Sequence, residues 1–423
     1  MSMKKLFFKL VNTKKHERGQ AMIIIVFSLI GLLGVSALAI DGSNAFVDRS
    51  RAQNAASATA LTAAVSRIEG DNWRSAALAT AAANGYDNNG STNTVELNTP
   101  PTSDPYTGNP EFIEVIITSY VDTYFGPVIG IPQIVNRVTA ISQSKPAVLG
   151  PMFDGYALVS LAPHSRCDRD ISFWIHGEAT ISLEGGGLFI NSDNADCAFI
   201  QFGSGSIRIM DESPFTVVGG ARVQKPKLIT PFPMDTGAPP MAYPPAFQMP
   251  KVGCGSAEAT ADELNGTMTA GNWGGDDFPP EGVHSLESGT YCIDGDFVLE
   301  AGEHLNGSNV VFLVKHGEIK ISGGADIQLS APRGGDLKGL LFYMPIKNKS
   351  LLSLNGNADS SLTGTILAPG ANVRINGFSS EKGLHSQIIG YYIEVDGQSN
   401  VIIKYKDDQN YDAFKMPEVI LSQ

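Results

Sequence analysis

Twenty consecutive uncharged residues, Ala21 to Ile40, constrain this chain more than anything else in it. At ~1.5 Å rise per residue, a helix of that length covers the ~30 Å hydrocarbon layer of a bilayer. It is apolar all round, whereas a surface helix of a globular domain keeps a polar stripe. Ala21, Ile23, Ile24, Phe27, Leu33 and Ile40 are therefore read as membrane-anchor residues. Before the span lie Lys4, Lys5, Lys9, Lys14, Lys15 and Arg18 against Glu17; after it come Asp41 and Asp48. The positive-inside rule predicts a basic cytoplasmic tail over 1–20, one span over 21–40 and the bulk of the chain outside a bacterial cytoplasmic membrane.

Processing leaves alternatives open. Ala37-Leu38-Ala39 has the small-x-small form of a signal cleavage site, and a cut after Gly19 would suit a pilin-like stem. A signal h-region runs roughly 7 to 15 residues, so the length of this one favours a retained anchor.

Net charge is −13; with +5 in residues 1–20, the remainder carries −18. A surface that acidic does not neutralise phosphates, so no nucleic-acid partner is expected. Beyond Gly42 alanine dominates and helix breakers are scarce until Gly70, predicting a stem helix within 41–86.

Arg18, Gly19 and Gln20, the apolar run, Asp41, and the block Ala52-Gln53-Asn54-Ala55-Ala56 together resemble the N-terminal region of TadG-like proteins of the Flp (Tad) pilus-assembly system. The resemblance covers about residues 17 to 65, and it implies a structural, assembly or adhesive tip role working with other pilus-assembly proteins or pilin-like subunits. Two positions depart from the pattern: Ser57 stands where the block usually has Asp, and Ile24 stands where processed pilins carry Glu. The second departure weakens the case for prepilin cleavage.

Residues 87–111 are rich in turn formers, and Phe112 to Thr118 and Ile134 to Ser142 read as strands flanking Tyr124-Phe125-Gly126. A small membrane-proximal α+β module over 87–150 is expected, its sheet packed on the stem helix. TadG-like proteins carry a similar aromatic-Gly turn.

After residue 151 short apolar runs alternate with Gly, Asn and Asp. Ser308–Val314, Lys338–Met344, Thr363–Pro369 and Ile389–Val395 recur at starts 30, 25 and 26 residues apart, as the windings of a right-handed parallel β-helix require. A β-sandwich or jelly roll is the alternative. Two blocks are expected, 151–224 and 254–410, separated by a Pro-rich wrapping segment over 225–253 and followed by a tail, 411–423. The parallel between Ile175-His176-Gly177-Glu178 and Lys315-His316-Gly317-Glu318 suggests that the blocks share a design.

Four cysteines downstream of a translocated segment favour disulfides. Of three connectivities, Cys167 with Cys197 and Cys254 with Cys292 is the simplest. Neither a Cys-x-x-Cys pair nor a nucleotide-binding or hydrolase motif occurs, so no cofactor, metal site or enzymatic activity is expected. Asp193 with Asp196, and Asp276 with Asp277, are the best acidic pairs, and turn stabilisation is their commoner role. The expected partners are the membrane, pilus-assembly proteins and, for the head, cell-surface polysaccharide or an abiotic surface. The rival reading is an anchored protein that binds or degrades polysaccharide, with carboxylates gathered on one sheet face.

Overall fold

A computed structural model describes the backbone of residues 18–275, 277–357, 359–377, 383–398 and 400–422, and side chains from Met22 onward. The basic tail up to Glu17, the side chains of Arg18, Gly19, Gln20 and Ala21, and Asp276 lie outside the described residues. The chain forms two compact units, one made of residues up to Ala147 together with Pro417 onward, the other of Val148–Met416.

The first unit is built on α1 (Arg18–Glu69), 52 residues with no proline, hence ~78 Å long. Among the described residues it is the one helix long and apolar enough to cross a membrane, and its apolar half is exposed along its length. From Asp41 onward one face turns inward: Ala45, Ala52, Ala56, Ala60 and Ala63 are buried. Side chains this small let a helix backbone lie close against a sheet. The helix stops at Gly70, whose φ of +81° suits glycine; Asp71 N–H reaches the Ser66 carbonyl at 2.9 Å and Gly70 N–H that of Arg67 at 3.3 Å. That pair of bonds is the Schellman arrangement. Asn72 then accepts from the Ser75 N–H at 3.2 Å and opens α2 (Trp73–Ala83).

Three strands, β1 (Asn93–Asn98), β2 (Phe112–Asp122) and β3 (Gln133–Lys145), pair antiparallel in that order. The fourth strand is Glu418–Ser422, which lies antiparallel to β3 with Lys145 opposite Glu418. The sequence presents these last residues as a tail. Their exposed-to-half-buried pattern carries too little hydrophobic alternation to announce a strand.

The second unit is mainly parallel sheet. Its ten-stranded sheet runs, by first residue, Asp235, Phe215, Leu188, Leu158, Ile388, Thr365, Leu340, Val310, Gly289, Gly271. The chain thus enters in the middle at Leu158 and proceeds outward to Asp235. It restarts at the far end and works back until Ile388–Gly390 pairs with Leu158–Ser160. The same last-on-first junction recurs where Ile393–Val395 meets Phe173–Ile175 and Asn400–Lys404 meets Thr180–Glu184.

Register refines the repeat. Phe312 opposes Phe342, Phe342 opposes Ile366, and Ile366 opposes Ile388, so the fourth copy is Ile388–Gly390. Ile393–Val395, read from sequence as part of that copy, pairs in the other large sheet. The two His-Gly-Glu segments also part company. Phe173–Ile175 and Thr180–Glu184 both sit in the 18-stranded sheet, whereas Val310–His316 sits in the ten-stranded one and Ile319–Ser330 in the other. What recurs is the turn: Gly177 and Gly317 have φ of 70° and 93°, which a β-carbon resists.

The central strands of the ten-stranded sheet are buried on both faces. Phe312, Ile366 and Ile388 point into the main core, and Val311, Leu340, Leu367 and Ile389 point the other way into a second apolar cluster. The Pro-rich segment roofs that second cluster with Met241, Tyr243, Phe247 and Met249. Burial on two faces is why these strands read as unbroken apolar runs, while strands such as Thr180–Glu184 alternate. Tyr291, Phe312 and Phe342 stack in the core with centroids 5.5 and 4.8 Å apart.

Candidate functional site

Of the residues that carry the family resemblance, Asp41, Gln53 and the Tyr124-Phe125-Gly126 turn lie at one place, the junction of α1 with the small sheet. Asp41, the first charge after the apolar run, accepts three backbone N–H groups, from Tyr124 at 2.8 Å, Phe125 at 3.0 Å and Gly126 at 2.9 Å. Burial pushes its carboxyl up, and those three donors more than offset this, holding it ionised below its ordinary range. Gly126 has no alternative, since a β-carbon there would lie 2.1 Å from the Ile131 carbonyl oxygen. Asp41 and the aromatic-Gly turn, separate signals in the sequence, are the two halves of one clamp.

One helical face continues the seam. Asp48 accepts from Asn136 Nδ2 at 2.8 Å and from the Ser119 hydroxyl. Gln53 Nε2 donates to the Thr139 carbonyl at 3.0 Å, and Asn136 donates to that of Ala45 at 2.8 Å. Ser142 donates to the Ala60 carbonyl at 2.6 Å. Sequence reasoning missed Asn136 and Ser142 because isolated polar residues in a strand carry no distinguishing mark. Asn54, singled out beside Gln53, is exposed on the opposite face.

Within the same unit, the turn after Phe125 and the end of the apolar helix enclose a cleft of about 320 Å³. Leu33, Ala37 and Asp41 line one wall and Phe125, Val128 and Ile129 the other. The anchor residues Ile23, Ile24, Phe27, Leu33 and Ile40 are all exposed.

Elsewhere, both disulfides form as Cys167–Cys197 and Cys254–Cys292. The first joins the connection between strands Leu158–Ser160 and Phe173–Ile175 to that between Leu188–Ile190 and Phe199–Gln201; the second fastens the end of the Pro-rich segment to strand Gly289–Asp294. Asp193 pairs with His164 at 2.9 Å across to a neighbouring connection, and the Asp196 backbone N–H donates to the Asn194 side chain, which holds that turn. His316 pairs with Asp294 at 2.7 Å on an exposed turn. His176 has richer company. Its Nε2 lies 2.9 Å from Glu394 and 3.9 Å from Asp396, its ring stacks on Trp174 at 3.8 Å, and Arg374 donates twice to Glu394 at 2.8 and 3.0 Å. Among the described residues this is the one grouping of three His and acidic side chains whose ligand atoms lie within 4.8 Å of one another. It straddles the last-on-first junction, which no local sequence pattern could announce.

Residues 19–66 match the family described as putative Flp pilus-assembly TadE/G-like, and the remainder of the chain is unclassified. No curated protein and no solved structure matches the chain. The matched stretch is α1 itself, from the apolar run to the alanine face that carries the sheet.

Proposed function

We propose that this is a single-pass, membrane-anchored component of a Flp/Tad-type pilus-assembly system, with its N-terminus in the cytoplasm and the chain from Asp41 onward outside. The observation that carries the reading is that the family match takes in most of the seam. Asp41, Asp48, Gln53 and Ala60 all fall inside residues 19–66 and all hold the small sheet. The matched stretch is thus an anchor with its docking face. Two disulfides support an oxidising compartment for the large unit.

On this reading the large unit is a parallel β-helix and serves as a structural, assembly or adhesive tip domain. Recurrent parallel pairing and the covered ten-stranded sheet support that architecture. The test is site-specific photocrosslinking from exposed Phe46 and Asn54 in cells assembling pili. Crosslinks to pilin-like subunits or assembly proteins are expected, and a pattern unchanged by loss of the pilus machinery would overturn the reading.

A second reading, polysaccharide binding or cleavage by the large unit, is favoured by the cluster of His176, Glu394, Asp396 and Trp174. Against it, Arg374 and His176 engage Glu394 and hold its carboxyl below the ordinary range despite burial that pushes it up. Saccharide binding or turnover lost in Glu394→Gln would favour the second reading; none in the parent protein would remove it.

A further inference from the structure

We propose that the turn from Thr123 to Pro132 is a second membrane-inserted element, dipping into the lipid beside the anchor helix with Val128 and Ile129 among acyl chains. The inference rests on the reading that residues 21–40 span a bilayer, and four independent observations lead to it.

First, the turn is exposed and apolar where a soluble protein would hide it. Tyr124, Val128 and Ile129 are 76%, 88% and 73% exposed, with Phe125 and Ile131 half exposed beside them. Grouped apolar residues of this size mark a contact surface.

Second, no residue from Thr123 to Pro132 carries a charge, and Asp122 and Gln133 close the stretch on the outer side. Third, the tip shares its cleft with Leu33, Gly34 and Ala37. Leu33 lies eight residues below Asp41, ~12 Å along the helix axis, well inside the ~30 Å hydrocarbon layer if Ile40 marks its edge. Whatever bathes Leu33 therefore bathes Val128.

Fourth, seven of the eight N–H groups from Thr123 to Ile131 find partners within the protein, as entry of backbone into lipid favours. Pro127 and Pro132 have no N–H to satisfy. Tyr124, Phe125 and Gly126 donate to Asp41, Thr123 donates to Pro132, Val128 to Phe125, Gly130 to Pro127 and Ile131 to Gly126. The Thr123 hydroxyl donates to the Ile131 carbonyl at 2.6 Å. Asp41, at the polar boundary, thus ties off three donors before the chain descends, and Tyr124 beside it suits the headgroup layer.

The geometry also fixes orientation. Two elements at one depth hold α1 against rotation about its axis, which a lone helix does not resist.

The test uses full-length protein in nanodiscs made with and without lipids brominated along the acyl chain. A single cysteine carrying an environment-sensitive fluorophore is placed at Leu33, Ile129 or, as an aqueous reference, Asn89. With the native disulfides intact the introduced thiol is the one available for labelling. The expected result is that Leu33→Cys and Ile129→Cys both lose most of their emission to brominated lipid, while Asn89→Cys is quenched by aqueous iodide instead. Quenching at 33 with iodide quenching at 129 would overturn the inserted turn and leave the span standing. Protection at 129 from both quenchers would mean a protein partner covers the turn, and would also overturn it. Loss of lipid quenching at 33 would instead overturn the span.

Discussion

Removing the Cys254–Cys292 bridge separates two accounts of what it does. In the chain-entropy account a disulfide stabilises by shortening the unfolded chain, in proportion to the logarithm of the loop it closes. The two bridges close loops of 38 and 30 residues. On that basis they contribute about 3.9 and about 3.6 kcal/mol, a difference too small to resolve. The structure adds a second term to the longer loop alone. Cys254 pins the end of the segment that roofs the outer apolar cluster, and Met249 and Val252 lie half-buried just before it. Freeing that end exposes both, at a cost of about 1 kcal/mol each by area. The double variant C254A/C292A should therefore lose about 6 kcal/mol and C167A/C197A about 4. Alanine is the replacement because Cys292 is buried and a hydroxyl would lack a partner. Urea unfolding of the large unit's near-ultraviolet signal gives the ranking, and limited proteolysis between Met249 and Gly255 gives its cause. Equal losses with the segment still resistant to protease would refute the roofing argument and leave the entropic one.

Three further outcomes follow from the small unit. Gly126→Ala should destabilise it by about 1–3 kcal/mol, since the new methyl overlaps the Ile131 carbonyl, and should raise amide exchange across 124–131 relative to the parent. Glu114 is buried, which pushes its carboxyl up, yet donors from Ser103, Asn98 and Thr102 bring it down to about 2. Its folded pKa is depressed, so its contribution is complete above pH ~4.5 and is lost as pH falls toward about 2; Glu114→Gln should flatten that part of the stability–pH curve, and an unchanged slope would refute the assignment. Because Lys145 lies opposite Glu418, replacing residues 146–417 with an Asn-Gly turn should leave a folded small unit in the membrane, whereas truncation after Met416 should loosen it; circular dichroism in detergent distinguishes the two.

The sequence made the long helix plain because twenty uncharged residues and an alanine run are local signals, and α1 joins them without a break. It also found three strands of the ten-stranded sheet, within Ser308–Val314, Lys338–Met344 and Thr363–Pro369, since burial on both faces writes itself as a continuous apolar run. What it missed is non-local. Nothing in Leu158–Ser160 says that its neighbour is Ile388–Gly390, because pairing between parallel strands is set by stacking and leaves no signature in either segment. The site divides the same way. Asp41 and Tyr124-Phe125-Gly126 were both visible, but their bond spans more than eighty residues, and only the folded backbone brings the three N–H groups to one carboxylate. The cluster at His176 was half visible: the histidine stood out, while Glu394 and Arg374 looked like ordinary strand residues on a solvated face.

The large unit is inserted between two neighbouring strands, β3 and Glu418–Ser422, and this sets an order of events during biosynthesis. During synthesis the small sheet stays one strand short until Glu418–Ser422 has been made. In the large unit the first strands, from Leu158 to Glu184, likewise wait for Ile388–Lys404 before both of their edges are paired. Both units therefore close nearly together, so a nascent chain that stops before Ile388 leaves unpaired strand edges in each. A cell's quality-control proteases can use such edges to tell an unfinished copy from a finished one.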